Sequence, residues 1–240
     1  VKFVTSSKNR QKRYTQINGE IALCQKANQQ FNWHGDFVFE ESESDFNDFV
    51  FDVNEVEEKY YLSEKTKAFK TPNPRILNLF AYTGGASLIA KAAGADTTHV
   101  DSIKQVVSWA NENQESSNLK DIRWVVEDAL KFVQRELKRG KTYNGIILDP
   151  PAYGHGPKGE KWKLEDLIKE MMRDVVQLLD SQEHFLILNT YSLGFSSIIV
   201  ENLIRGAYPK VQNLNIGELY LKAKSGINLP LGVFGKFSSV

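Results

Sequence analysis

The chain is predicted to fold as a doubly wound α/β domain, a mostly parallel sheet with helices on both faces. Three observations carry this. From Arg75 onward short apolar runs alternate with amphipathic stretches over short connections, and that alternation calls for crossover helices and parallel strands. The strand candidates are continuous apolar runs rather than alternating ones, as strands buried on both faces are. The closing stretch "NLNIGELYLKAKSGINLPLGVFGKF" loses helical period and reads as two strands joined by a turn-rich segment, so an antiparallel strand is expected at one edge.

Taken in order, "RILNLF" is the first strand and "GGASLIAKAAGA" a helix closed by Gly94. "THVD" is the second strand. In "IKQVVSWANENQESSN", Val106, Val107 and Ala110 recur at helical spacing opposite a polar face. "IRWVVE" is short and β-branched, hence a strand. "DALKFVQRELKRG" follows as a helix with Asp128 as a cap, Leu130, Val133 and Leu137 on one face, and Gly140 as its stop. "YNGIILD", "LEDLIKEMMRDVVQLL", "HFLILNT" and "SSIIVENLIRGAY" continue the strand–helix alternation. With the terminal pair, seven strands are expected.

Residues 1–73 read differently, as a small accessory region, partly β, before a second domain spanning 74–240. "QINGEIALCQKANQQFNWHGDFVFEE" has strand-like aromatic pieces with turn signals at Asn18-Gly19 and Gly35, and "SEKTKAFKTPNPR" reads as a linker or helix end stopped by Pro72 and Pro74. The densest basic run, Lys8 to Arg13, suits phosphate contact or a solvated tail equally.

Thirty basic and thirty acidic residues cancel, so net charge points to no polyanionic partner, although local patches can still bind one. A single cysteine, Cys24, excludes an internal disulfide and a thiolate-rich metal site within one chain; no metal site is expected. No apolar run nears the ~18 residues a membrane helix needs. A reducing, cytoplasmic setting without a membrane partner is the simplest expectation.

In open parallel sheets ligands bind beyond the carboxyl ends of the strands, and unusual residues gather there. After the first strand comes "AYTGGAS", where Gly84 and Gly85 permit a tight turn at a helix amino end. The second strand ends in Asp101, placed to accept both hydroxyls of a ribose or to cap the next helix. The third ends in Glu127-Asp128, and the fourth in Asp149-Pro150-Pro151. A nicotinamide dehydrogenase fits a glycine turn plus a distal acid, but the G-x-G-x-x-G fingerprint is absent and an Asp-Pro-Pro corner has no part in hydride transfer.

These segments resemble class I S-adenosyl-L-methionine-dependent methyltransferases, and most closely the branch with the large-subunit ribosomal RNA methyltransferases. The carrying stretches are "ILNLFAYTGGAS", "HVDSIKQVVSWANEN", "WVVEDALKFV", "GIILDPPAYG", "FLILNTYSLGFS" and "LPLGVFGKF". The resemblance implies a Rossmann-like fold, S-adenosylmethionine as cofactor, and RNA, ribosomal in the first instance, as substrate. It implies that Leu79, Phe80, Ala81, Tyr82, Thr83, Gly84 and Gly85 hold the methionine part, Asp101 the ribose and Asp128 the adenine amine. Ser102 and Ala129 flank the adenosine, and Asp149 lies against the cofactor. Members of that branch carry a Phe-Pro-Glu-Gln-like segment before the first strand; here "FDVNEVEEKYYLSEKTK" takes its approximate place.

Asp149, Pro150, Pro151 and Tyr153 are the expected catalytic corner. Neither proline has an N–H, so the corner continues neither sheet nor helix, and its carbonyls are expected to accept hydrogen bonds from a planar amine. Tyr153 is placed to stack on an extruded base; the bland alternative has Asp149 capping a turn and Tyr153 packing on the sheet edge. His155, Lys158, Lys161 and Lys163 are candidate substrate contacts in the loop Gly154–Lys163, expected to be mobile without substrate and to close over a charged backbone. "FLILNTYSLGFS" offers Asn189, Thr190, Tyr191 and Ser192 but no cysteine for cytosine carbon-5 chemistry. Methylation of a base nitrogen in RNA is therefore the leading expectation. A protein amide or a small molecule as acceptor, or a catalytically weak cofactor- and RNA-binding module, are the alternatives.

Overall fold

A computed structural model describes residues 2–3, 15–16, 49–50, 53–192, 194–223 and 228–240, with side chains at 61–192, 194–220 and 230–240. Cys24, Trp33 and the Lys8–Arg13 run lie outside the described residues.

In chain order the elements are β1 (Lys2–Phe3), β2 (Thr15–Gln16), β3 (Phe49–Val50), α1 (Val53–Ala68), β4 (Arg75–Leu79), α2 (Gly85–Ala92), β5 (Asp96–Asp101) and α3 (Lys104–Ser116). They continue with β6 (Arg123–Val126), α4 (Ala129–Lys138), β7 (Gly145–Leu148), β8 (Tyr153–His155), β9 (Lys161–Lys163) and α5 (Leu164–Val175). The last are β10 (Phe185–Thr190), α6 (Ser197–Ala207), β11 (Asn215–Ala223) and β12 (Asn228–Ser238). The strand–helix alternation expected from Arg75 onward is present element for element.

The main sheet runs β3-β11-β12-β10-β7-β4-β5-β6, and β10, β7, β4, β5 and β6 are mutually parallel. The expected antiparallel edge is built by two strands. β12 pairs antiparallel with β10 and with β11, which lies outside it, and two-residue β3 borders β11. Residues alternate between two apolar layers. Leu77, Leu79, Ile146, Leu148, Leu186 and Leu188 face the side covered by α4, α5 and α6, where Phe132, Met171, Met172 and Ile204 are buried. Ile76, Ile147, Phe185 and Ile187 face the other side with Leu62 and Phe69, which flank the end of α1, and with Ile89 of α2. Phe69 stacks on Phe185 at 5.7 Å, so the segment just before Pro72 adds to the same core.

Gly145 opens β7 where a side chain would strike the Phe185 ring and Ile76. Among the described residues no helix is long and apolar enough to cross a membrane.

Candidate functional site

The carboxyl ends of β4, β5, β6, β7 and β10 form one rim, and the singled-out residues gather there. The turn after β4 is strained. Phe80 and Tyr82 hold φ of 55° and 46°, and Gly84 holds 88°. Positive φ suits glycine, but costs about 1–3 kcal/mol at other residues and persists only where its surroundings over-determine it.

Those surroundings are specific. Ala81 N–H donates to the Val100 carbonyl (3.1 Å) and Gly84 N–H to the Ala81 carbonyl (3.0 Å). Tyr82 N–H donates to Asp101 Oδ2 (3.0 Å), and Asn113 Nδ2 donates to the Thr83 carbonyl (3.0 Å). A side chain on Gly84 would meet Ala110 Cβ at 3.1 Å. Below the turn, Asn78 Nδ2 donates to Ser87 Oγ, which lies 3.0 Å from His99 Nδ1. Burial pushes the His99 imidazole down to about 3, so it is neutral at ordinary pH.

Gly84 caps α2 without any side-chain hydrogen bond. Nothing from a capping side chain therefore meets the first amides of that helix, which suits a carboxylate. Asp101 accepts from Ile103 N–H (3.0 Å) as well as from Tyr82, so it both pins the turn and presents its remaining lone pairs to the rim. Burial raises its carboxyl, and the backbone N–H groups of Ile103, Tyr82 and Ser102 oppose that rise. Asp128 caps α4 through Oδ1 and Lys131 N–H (2.9 Å), as its alternative reading allowed; Ala129 is buried behind it.

Sequence reasoning passed over Ile103 and Val126. They are 48% and 42% exposed at the ends of β5 and β6, beside Asp101 and Asp128, where a flat apolar ligand would cover them. The readable signal was an apolar residue two positions from each acid, Ile103 after Asp101 and Val126 before Asp128.

Asp149, half-buried, follows β7 directly beside the β4 turn, because Leu148 pairs with Leu79. One expectation is corrected here. The Pro151 carbonyl is not open to a ligand; Trp162 Nε1 donates to it at 2.7 Å, and Leu164 N–H takes the Ala152 carbonyl at 3.0 Å. Trp162, unremarked in the sequence, is 3% exposed and packs its ring 4.7 Å from Phe80, tying the corner to the β4 turn. No described residue donates to the Pro150 carbonyl.

The loop after the corner is a hairpin, β8 against β9, with Tyr153 opposite Lys163 and His155 opposite Lys161. Glu160 closes it: its carboxylate accepts from Lys158 N–H (2.8 Å) and pairs with Lys131 Nζ of α4 (2.6 Å). Lys163 is tied to Glu165 (3.1 Å) and Asp166 (3.5 Å), while Lys158 and Lys161 have no ion pair among the described residues. The three lysines are thus not equivalent. Tyr153 is 48% exposed with the His155 ring edge-on at 5.3 Å, so the two rings make one surface platform.

The model for the family described as "Conserved hypothetical protein 95" matches residues 56–207. Among solved structures, the SAM-dependent methyltransferase from Agrobacterium tumefaciens is 35% identical, with a TM-score of 0.71, over 77% of this chain and 62% of that one. The putative ribosomal RNA large subunit methyltransferase of Methanocaldococcus jannaschii is 34% identical over 89 residues, 36% of this chain and 23% of that protein. The ribosomal RNA large subunit methyltransferase K/L of Shewanella sp. (strain MR-4) is 33% identical over 122 residues, 49% of this chain and 16% of that protein. The chain therefore spans less than a quarter of these two curated relatives.

Proposed function

The chain belongs to the Conserved hypothetical protein 95 family, and from that premise we propose that it is an S-adenosylmethionine-dependent methyltransferase acting on a base nitrogen in RNA, with large-subunit ribosomal RNA as the substrate. One observation carries the reading. The strained turn after β4 and the Asp149 corner after β7 stand on hydrogen-bonded neighbouring strands, Leu79 paired with Leu148. A cofactor held by the first would lie against whatever the second holds.

The residues present fit the cofactor. The uncapped start of α2 and the turn Leu79–Gly85 suit its methionine carboxylate. The Asp101 lone pairs suit the ribose hydroxyls, with Ser102 alongside. Ile103, Val126 and Ala129 supply apolar cover for adenine, with Asp128 at its amino group. When bound, S-adenosylmethionine supplies a methyl group already activated on a sulfonium. The protein's own work is then placement and desolvation of the nucleophile. The Pro150 carbonyl accepts an N–H of the target and so turns the nitrogen lone pair towards the cofactor side. The Asp149 carboxylate lies alongside to take the proton the nitrogen releases. Tyr153 and His155 offer a face for the base, and Lys158 and Lys161 reach for phosphate. A cytoplasmic setting fits such a substrate.

The test is a pair of variants. Asp149→Ala and Tyr153→Ala should lose most transfer of labelled methyl to RNA while binding S-adenosylmethionine within about twofold of wild type. Full activity in both would make the corner structural. Label appearing in a protein or small-amine pool instead of RNA would move the acceptor to that class.

A further inference from the structure

The hairpin β8–β9 is held from two directions, and each hold ends on a residue that the reading above sets against the cofactor. The first runs through Trp162, in the middle of β9 opposite Gly154. Its indole N–H donates to the Pro151 carbonyl at 2.7 Å, and its ring lies 4.7 Å from that of Phe80 in the strained turn. The second runs through Glu160, between the two strands. Its carboxylate pairs with Lys131 Nζ at 2.6 Å, and the backbone N–H of the same Lys131 donates to Asp128 Oδ1 at 2.9 Å. Lys131 thus holds the α4 cap with its main chain and the hairpin with its side chain. A Cβ on Gly156 would strike the Glu160 carboxylate, so a glycine there leaves that group its place. The hairpin's own ladder is three residue pairs long, and a two-stranded ribbon that short does not stand by itself. Its position therefore depends on the two holds. Trp162 is its buried face; Tyr153, His155, Lys161 and Lys163 are exposed on the other.

Resting on the methyltransferase reading above, we propose that this hairpin links the two ligands: S-adenosylmethionine seated against the Phe80 turn and Asp128 steadies the docked hairpin, and only the docked hairpin presents Tyr153, His155 and Lys161 to RNA as one face. Both ligands then favour the same docked state, so each tightens the other by the same factor. An order of binding follows. The cofactor-loaded protein takes up RNA, and the bare protein holds it weakly. Trp162 and Lys131 are the positioning residues of this link, acting through Phe80 and Asp128. A merely structural anchor would weaken RNA with and without cofactor alike and leave the ratio of the two affinities unchanged.

The test uses the full chain with S-adenosylhomocysteine, which lacks the methyl group and so fills the cofactor site without turnover. Hydrogen exchange at the Gly156 N–H, bonded to the Glu160 carbonyl at 2.7 Å, should slow at least about fivefold when it binds, the lower end of ordinary coupling between sites. Affinity for a fluorescently labelled single-stranded RNA oligonucleotide should rise by at least about the same factor, and RNA should tighten S-adenosylhomocysteine equally. In Trp162→Phe the gain in RNA affinity on adding S-adenosylhomocysteine should shrink. Lys131→Met removes a side chain that is 56% exposed, leaves the core intact, and should shrink the gain on its own. A gain undiminished in both variants would overturn the proposal. S-adenosylhomocysteine that binds wild type yet changes neither Gly156 exchange nor RNA affinity would overturn it while the methyltransferase reading stood. Wild-type protein that binds no S-adenosylhomocysteine would remove that reading, and this inference with it.

Discussion

Trp162→Phe tests how the corner is held. In the native structure the indole N–H fills the Pro151 carbonyl at 2.7 Å while the ring packs 4.7 Å from Phe80, with 3% of the residue exposed. Phenylalanine keeps a ring against Phe80 but has no N–H, so a largely buried carbonyl loses its donor at about 1–3 kcal/mol. The missing second ring adds about 1 kcal/mol of lost packing. The loss, about 2–4 kcal/mol, falls on the hairpin β8–β9, whose opening must break this anchor. At 1.4 kcal/mol per factor of ten, hairpin amides should exchange roughly 30- to 1,000-fold faster, the Gly156 N–H that donates to the Glu160 carbonyl at 2.7 Å being the most direct reporter. Amides in β7 and β10 should hold their protection, because the sheet does not depend on Trp162. Hydrogen exchange followed by mass spectrometry resolves the two regions. Unchanged exchange at Gly156 would refute the anchoring role, and equal acceleration in β7 would show that Trp162 holds the whole core.

Asp101→Ala should weaken S-adenosylmethionine by at least about 1.5 kcal/mol in calorimetry, since a charge-assisted acceptor is lost and the Tyr82 and Ile103 N–H groups lose theirs; a folded variant with unchanged affinity would remove the ribose assignment. The Lys131–Glu160 latch has a defined pH window. Hydrogen bonding from Lys131 first, then backbone N–H groups including that of Lys158, pulls the Glu160 carboxyl down from 4.5 to about 2. Because the folded value is depressed, the latch contributes fully above about pH 4.5 and is lost as pH falls through about 2. The difference in melting temperature between wild type and Glu160→Gln should accordingly be constant near neutrality and shrink as pH falls from about 4.5 towards 2; a gap as large near pH 2 as at neutrality would contradict the pairing. Replacing Lys158 and Lys161 by alanine should lower the slope of log affinity against log salt for single-stranded RNA by about 0.7 per lysine. Lys163→Ala should change it less, because Glu165 and Asp166 already hold that ammonium.

Much of the fold was legible because it is locally encoded. The strands at 75–79, 145–148 and 185–190 are apolar runs, and Val106, Val107 and Ala110 fall buried at the spacing read from the sequence. The hairpin was not legible. Gly154, Gly156 and Gly159 speak for a permissive loop, and what orders it is non-local: Trp162 on Pro151 and Phe80, Glu160 on Lys131. Strain was equally hidden, since the left-handed residues of the β4 turn include Phe80 and Tyr82, which no propensity would choose. Asp101 and Asp128 were found by position, but their backbone hydrogen bonds, which let each hold the scaffold while facing the rim, needed the register of β5 and the start of α4. The helix α1 carries charge on much of its length, so its packing through Leu62 beside Phe69 emerges only against Phe185.

The central claim is that the Asp149 corner delivers a methyl group to a base nitrogen in RNA. Its most direct measurement is the identity of the labelled nucleoside after wild-type protein has acted on unmodified large-subunit ribosomal RNA with tritiated S-adenosylmethionine. The account predicts one labelled species, methylated on nitrogen and absent when Asp149→Ala replaces wild type. Label on carbon or ribose, or label of equal yield from the Asp149→Ala protein, would contradict it.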